Sequence, residues 1–197
     1  MKHKIAVIHS MSTEMMLLSK ALSCLSGYGV VLNRNVYEWM SMFQIEESQM
    51  NRFGNQFLIL ASSFLHRITS EFYCSDFVST GAVFTDVLSL QLKIDKKSIV
   101  CESPEDARMI KILLEMTGRY AASHYDAVIH VCTADSKSFD EYSIGFYKKY
   151  NMAYLLYDGA DQMKDIVEHI VREVEIPKVQ SVDRALYEAI RAVTFKN

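Results

Sequence analysis

The most constraining feature of this chain is an alternation. Apolar runs of strand length take turns with longer segments of helical period, and such alternation calls for an α/β fold with a parallel sheet. The run IAVI at 5–8 lies in an expected strand 4–9. A helix follows from about 13 to 26, its apolar set including Leu17, Leu18, Ala21, Leu22 and Leu25, with Gly27 and Gly29 ending it. Further strands are expected at Val30–Leu32, Phe77–Val78, Ala127–Cys132 and Ala153–Tyr157. Helical segments are expected over 36–73 (broken near 46–51), 83–92, 103–124, 137–150 and 161–175. Ser103-Pro104-Glu105-Asp106 has the form of a helix start: a Ser cap, Pro in the first turn and two acids where the helix dipole favours them. Beyond Pro177, residues Val182, Ala185, Leu186, Ala189, Ile190 and Val193 form an apolar stripe of helical period. The expected organisation is one α/β domain over 1–176 and an amphipathic helical extension over 177–197, which docks on its own domain or across a homodimer.

Composition narrows the class. A length of 197 residues with 50% hydrophobic and 23% charged residues suits an ordinary globular domain that buries its own core. The net charge of -3 and the absence of any Lys/Arg run longer than two argue against nucleic acid as a partner. No stretch approaches the ~20 apolar residues of a membrane span. The N-terminal apolar run is too short for a signal-peptide core. Cys24, Cys74, Cys101 and Cys132 are far apart, with no C-x-x-C pair, so a reduced, cytoplasmic protein without disulfides is expected. No H-x-x-x-H or H-E-x-x-H spacing occurs, and neither a metal nor another cofactor is expected.

LSKAL in the first helix, NRNVYEWM after the second strand, FTDVLSLQ after the third and VIHVCTAD at a strand end give the chain its resemblance. Over roughly 4–175 it resembles the P-loop nucleoside and nucleotide kinases, most of all the nicotinamide-riboside-kinase-like ATPases. The resemblance implies a three-layer α/β domain with a parallel sheet of about five strands. It also implies a Walker A loop, G-x-x-x-x-G-K-[ST], whose backbone N–H groups curl around phosphates. Aligned on LSKAL, His9 and Glu14 stand for the two glycines, Met15 for the lysine and Met16 for the Ser/Thr. No lysine lies between Lys4 and Lys20 to restore the loop. A carboxylate ~4 Å from a phosphate charge opposes binding by about 4 kcal/mol at an effective dielectric near 20. That is half of the roughly 8 kcal/mol in a micromolar site. The family's other positions differ as well. Ser79-Thr80-Gly81-Ala82 stands where an Asp-Arg pair should end the third strand. Asn33 and Arg34 stand where a substrate-handling acid should be, with Glu38 a turn later. The lid region between Arg119 and Arg172 holds no arginine.

In open parallel sheets ligands bind at the carboxyl ends of the strands. His9, Ser10, Ser12, Thr13, Arg34, Thr80, Thr133 and Asp135 are the candidate ligand-binding residues there; for each, capping a helix or satisfying a loop is the plainer role. His9 and Ser10, adjacent on a strand, point to opposite faces and make a poor base–nucleophile pair. Cys132 is expected to be half-buried and inert, and Met11, Met15 and Met16 to offer an adaptable apolar surface. The expected function is a non-catalytic relative of the kinases, a small-ligand-binding or protein-interaction module. The alternative is a nucleoside, nucleotide or other small-metabolite kinase or transferase using strand-end residues such as Arg34, Thr80 and Asp135.

Overall fold

Residues 3–9, 12–31, 60, 64–101 and 103–194 are described in the computed structural model. Ser10, Met11, Asn33, Arg34 and most of the expected 36–73 helical stretch lie outside these residues. In chain order the elements are β1 (Lys4–His9), α1 (Ser12–Ser26), β2 (Gly29–Val31), α2 (64–72), β3 (Phe77–Thr80), α3 (Thr85–Asp95) and α4 (Pro104–His124). They continue with β4 (Ala127–Cys132), a 3-10 turn (Ala134–Ser136), α5 (Lys137–Lys149), β5 (Tyr154–Asp158), α6 (Met163–Glu173) and α7 (Val182–Thr194).

The five strands form one parallel sheet in the order β2-β3-β1-β4-β5. Central β1 pairs with β3 (Ile5 opposite Val78, Val7 opposite Thr80) and with β4 (Ile5 opposite Ala127, His9 opposite Val131). Because side chains alternate along a strand, β1 feeds two cores. Ile5 and Val7 join Ile129 and Val131 beneath Leu18, Leu22 and Leu25 of α1 and Ile166 and Ile170 of α6. Ala6 and Ile8 join Val128 on the opposite face, against Phe84 just before α3, Leu88 of α3, Ala121 of α4, and Phe146 and Tyr147 of α5. A smaller cluster of Leu60, Val87, Leu90, Ile99 and Ile110 extends that second layer. The result is the expected three-layer α/β arrangement.

The terminal helix α7 lies on the chain's own α1. Val182, Ala185 and Ala189 are buried in the first core, whereas Ile190 of the expected apolar stripe is half exposed. The small alanines allow close approach between the helix backbones. β3 also runs two residues further than its apolar pattern, because Ser79 and Thr80 are polar yet buried within the strand.

Ser103 caps α4 as expected. Its side chain accepts from the Asp106 amide at 3.2 Å, the Asp106 carboxylate accepts from the Ser103 amide at 3.0 Å, and Pro104 occupies the first turn. This reciprocal pair satisfies two backbone donors that a helix start leaves open. Ser103→Ala is expected to lower the unfolding free energy by about 1 kcal/mol, read as a lower urea midpoint at unchanged m-value.

Candidate functional site

The carboxyl edge of the sheet is built from the ends of β1, β3, β4 and β5. His9 ends β1 and is half-buried. Burial pushes its imidazole below the ordinary value; Glu14 works against that shift, His130 adds to it and Asp140 opposes it. Thr80 ends β3, where its hydroxyl donates to Val31 O at 3.2 Å and ties β3 to β2. The chain then turns at Gly81, whose amide donates to Val7 O at 2.6 Å. Gly81 has φ +84°, the left-handed region that suits glycine.

A guanidinium from outside the sheet secures this turn. Arg67 of α2 is buried, and its Nη1 donates to Ser79 Oγ at 2.6 Å and to the carbonyls of Thr80 and Gly81 at 2.9 Å each. This explains how two polar residues are accommodated at the buried end of β3: the charged donor supplies strong hydrogen bonds there. Sequence reasoning missed Arg67, because no local pattern connects a helix residue to a strand end a dozen positions away. The strand lacks its own Asp-Arg pair, yet a guanidinium reaches the same end, engaged with the backbone.

The most elaborate polar arrangement surrounds His130, one residue inside the end of β4's buried face. Its Nδ1 lies 2.7 Å from Tyr147 Oη and its Nε2 lies 2.9 Å from Asp140 Oδ1. Burial raises the Tyr147 phenol far above its ordinary range, so the phenol keeps its proton and donates to Nδ1. Nε2 therefore carries the imidazole proton and donates to Asp140. The other carboxylate oxygen of Asp140 accepts from Ser136 Oγ at 2.7 Å and from the Thr133 amide at 3.3 Å. Burial holds the His130 imidazole below its ordinary value even though the Asp140 carboxylate pulls the other way. Cys132, two residues further along β4, has its thiol pushed up by burial and then by Asp140 and Asp158.

Of the sequence candidates, His9, Thr80 and Thr133 all reach this edge. Thr133 has a capping role: its hydroxyl lies 2.8 Å from Ser136 Oγ. Ser12 begins α1 and Thr13 stands exposed in its first turn. Asp135 is exposed in the 3-10 turn; the carboxylate that turns back to β4 is Asp140, one helical turn into α5. Ser10 and Arg34 lie outside the described residues. At the opposite, amino edge of the sheet two clefts open. One of about 460 Å³ is lined by His3, Asp126, Tyr154 and Glu173 among others. The other, about 590 Å³, is lined by Lys4, Glu71, Tyr73, Tyr120 and His124 among others. Glu71 is fully buried there, accepting from Tyr125 Oη at 2.8 Å, with His124 Nε2 at 3.1 Å.

No protein-family profile matches this chain, and no curated protein does. Among solved structures it is similar to the deoxyadenosine kinase of M. mycoides with bound dCTP, with a TM-score of 0.61 and 15% identity. The match covers 87% of this chain and 98% of that one. The same kinase with products dCMP and a flexible dCDP bound matches with a TM-score of 0.62, at the same identity and coverage. The fold is that of a P-loop nucleoside kinase; at this identity the likeness speaks to fold alone.

The two histidines predict an acid sensitivity. Both imidazoles lie below their ordinary value in the folded protein, whereas the unfolded chain titrates near 6.5. As pH falls through about 6.5 the unfolded state takes up protons first, and stability declines until the folded-state values are passed. Urea unfolding is expected to show lower stability near pH 5.5 than near pH 7.5, with the difference reduced in His130→Gln. Equal stability at the two pH values would contradict the burial of neutral imidazoles.

Proposed function

We propose that the chain keeps a nucleoside-kinase fold as a non-catalytic module, binding a small ligand or a protein partner without transferring phosphoryl groups. The observation that carries this reading is the brevity of the β1–α1 connection. β1 ends at His9 and α1 begins at Ser12, which leaves two residues where a phosphate cradle needs a longer loop of curled amides. Glu14, Met15 and Met16, which replace the second glycine, the lysine and the hydroxyl residue by position, are already helical. Glu14 also places its own carboxylate in the first turn of α1, with Oε2 buried. A helix N-terminus favours one anion nearby, and here the chain itself supplies it.

An exposed apolar row supports the interaction half of the proposal. Met109, Ile112 and Met116 of α4 are 38%, 50% and 57% exposed, spaced so that they share one helical face. Exposed apolar groups gathered in this way are a common basis for protein contacts.

The second reading is an enzyme acting on a nucleoside or nucleotide through strand-end residues. It is favoured by the extent of the likeness to a deoxyadenosine kinase solved with dCTP and with dCMP and dCDP. Thermal unfolding with millimolar Mg·ATP, Mg·GTP, dCTP and free nucleosides separates the two. A ligand at 100 times its Kd adds about 2.7 kcal/mol, several degrees for a chain of this size. No shift with Mg·ATP or Mg·GTP, and no nucleoside-dependent turnover, is expected. A clear Mg·ATP shift with turnover would replace the non-catalytic reading. A shift with a nucleoside alone would keep that reading and name the ligand.

A further inference from the structure

Three atoms of metal-ligand type converge at the end of β4: an imidazole nitrogen of His130, Cys132 Sγ and a carboxylate oxygen of Asp140, all within 4.8 Å of one another. His130 and Cys132 are two apart on a strand and face the same side; Asp140 arrives from the first turn of α5. Motif spacing could not reveal the group, since a strand H-x-C pair and a helix carboxylate eight residues on match no familiar pattern.

We propose that His130, Cys132 and Asp140 form a binding site for a zinc-type divalent cation, with a fourth position left to water. The donor set of one sulfur, one nitrogen and one oxygen suits zinc, whereas magnesium and calcium prefer oxygens alone. Two bonds of about 2.0 Å at a tetrahedral angle set nitrogen and oxygen about 3.3 Å apart. The present Nε2–Oδ1 distance is 2.9 Å, so the ion takes the place of the bridging proton with a small opening of the pair. The charge balances too: a dication with one thiolate and one carboxylate sums to zero, as a buried site requires.

The surroundings hold the ligands as a metal site needs. Asp140 Oδ2 is fixed by Ser136 Oγ and the Thr133 amide. On binding, the imidazole proton moves from Nε2 to Nδ1, and the Cys132 thiol releases its proton to solvent. Nδ1–H then donates to Tyr147 Oη, and the phenol O–H must find a new acceptor. Ser143 Oγ is buried beside that phenol, within hydrogen-bonding reach of it. The relay therefore has an acceptor in place for the metal-bound arrangement.

The test titrates the reduced, chelator-stripped full chain with Co²⁺ as a spectroscopic probe. One equivalent is expected to produce a near-ultraviolet thiolate-to-cobalt band with tetrahedral visible bands, all displaced by Zn²⁺. Cys132→Ser, checked for fold by far-ultraviolet circular dichroism, should abolish the near-ultraviolet band. Asp140→Asn and Ser136→Ala should weaken Co²⁺ binding by about tenfold or more. No thiolate band in the parent protein would overturn the site. So would a band that persists in Cys132→Ser, which would place the ion on another cysteine, or unchanged affinity in Asp140→Asn. None of these readouts depends on whether a nucleotide binds.

Discussion

Strand β1 is hydrogen-bonded along both edges and buried on both faces, and the rest of the molecule is arranged around that constraint. A strand so enclosed has no room for polar side chains, so Ile5, Ala6, Val7 and Ile8 are all apolar. Each face must then be roofed, which requires helices on both sides and crossover connections between parallel strands. Helices α1, α6 and α7 cover one side and α3, α4 and α5 the other. Polar chemistry is thereby driven to the strand ends, where the buried sheet gives way to loops and helix starts.

Two buried polar clusters occupy the carboxyl edge, and they solve one problem in different ways. At β3 a guanidinium from α2 satisfies two carbonyls and a hydroxyl. At β4 a neutral imidazole links a phenol to a carboxylate that is itself held by a hydroxyl and an amide. A buried donor or acceptor left unmatched costs about 1–3 kcal/mol, so loss of one partner from either cluster is destabilising. The first fixes the backbone of a turn. The second concentrates atoms of mixed donor chemistry in a small volume and supports more than one distribution of its protons.

The sheet was legible in the sequence because its signals are local: apolar runs for β1 and β4, a cap at Ser103, a stripe in α7. The end of β3 was not, since Ser79 and Thr80 resemble a turn until Arg67 is seen to hold the Ser79 hydroxyl and the Thr80 carbonyl, and Val31 O the Thr80 hydroxyl. The same limit hides Asp140, the carboxylate that reaches His130. Sequence proximity favours Asp135, but the 3-10 turn directs it outward and the first turn of α5 brings Asp140 back. Cys132 was correctly expected to be half-buried, and its meaning changes only beside the two partners that the fold brings to it. His9, Thr80 and Thr133 could be placed at the carboxyl edge from the strand pattern alone; that pattern has no means of placing there a guanidinium or a carboxylate delivered by a helix.

The carboxylate carried by the first turn of α1 reaches beyond its own helix. Glu14, Asp135, Asp140 and Asp158 all belong to the carboxyl edge, where His9 and His130 are held toward their neutral forms and Lys137 is a neighbouring cation. A phosphate-binding edge draws anions in from solution along a positive potential. At this edge, among the described residues, those carboxylates stand with Lys137 and the buried Arg67 guanidinium, so an approaching polyanion meets carboxylates as well as cations. A carboxylate in the first turn of α1 thus bears on which solutes meet this edge, and not on its own helix alone.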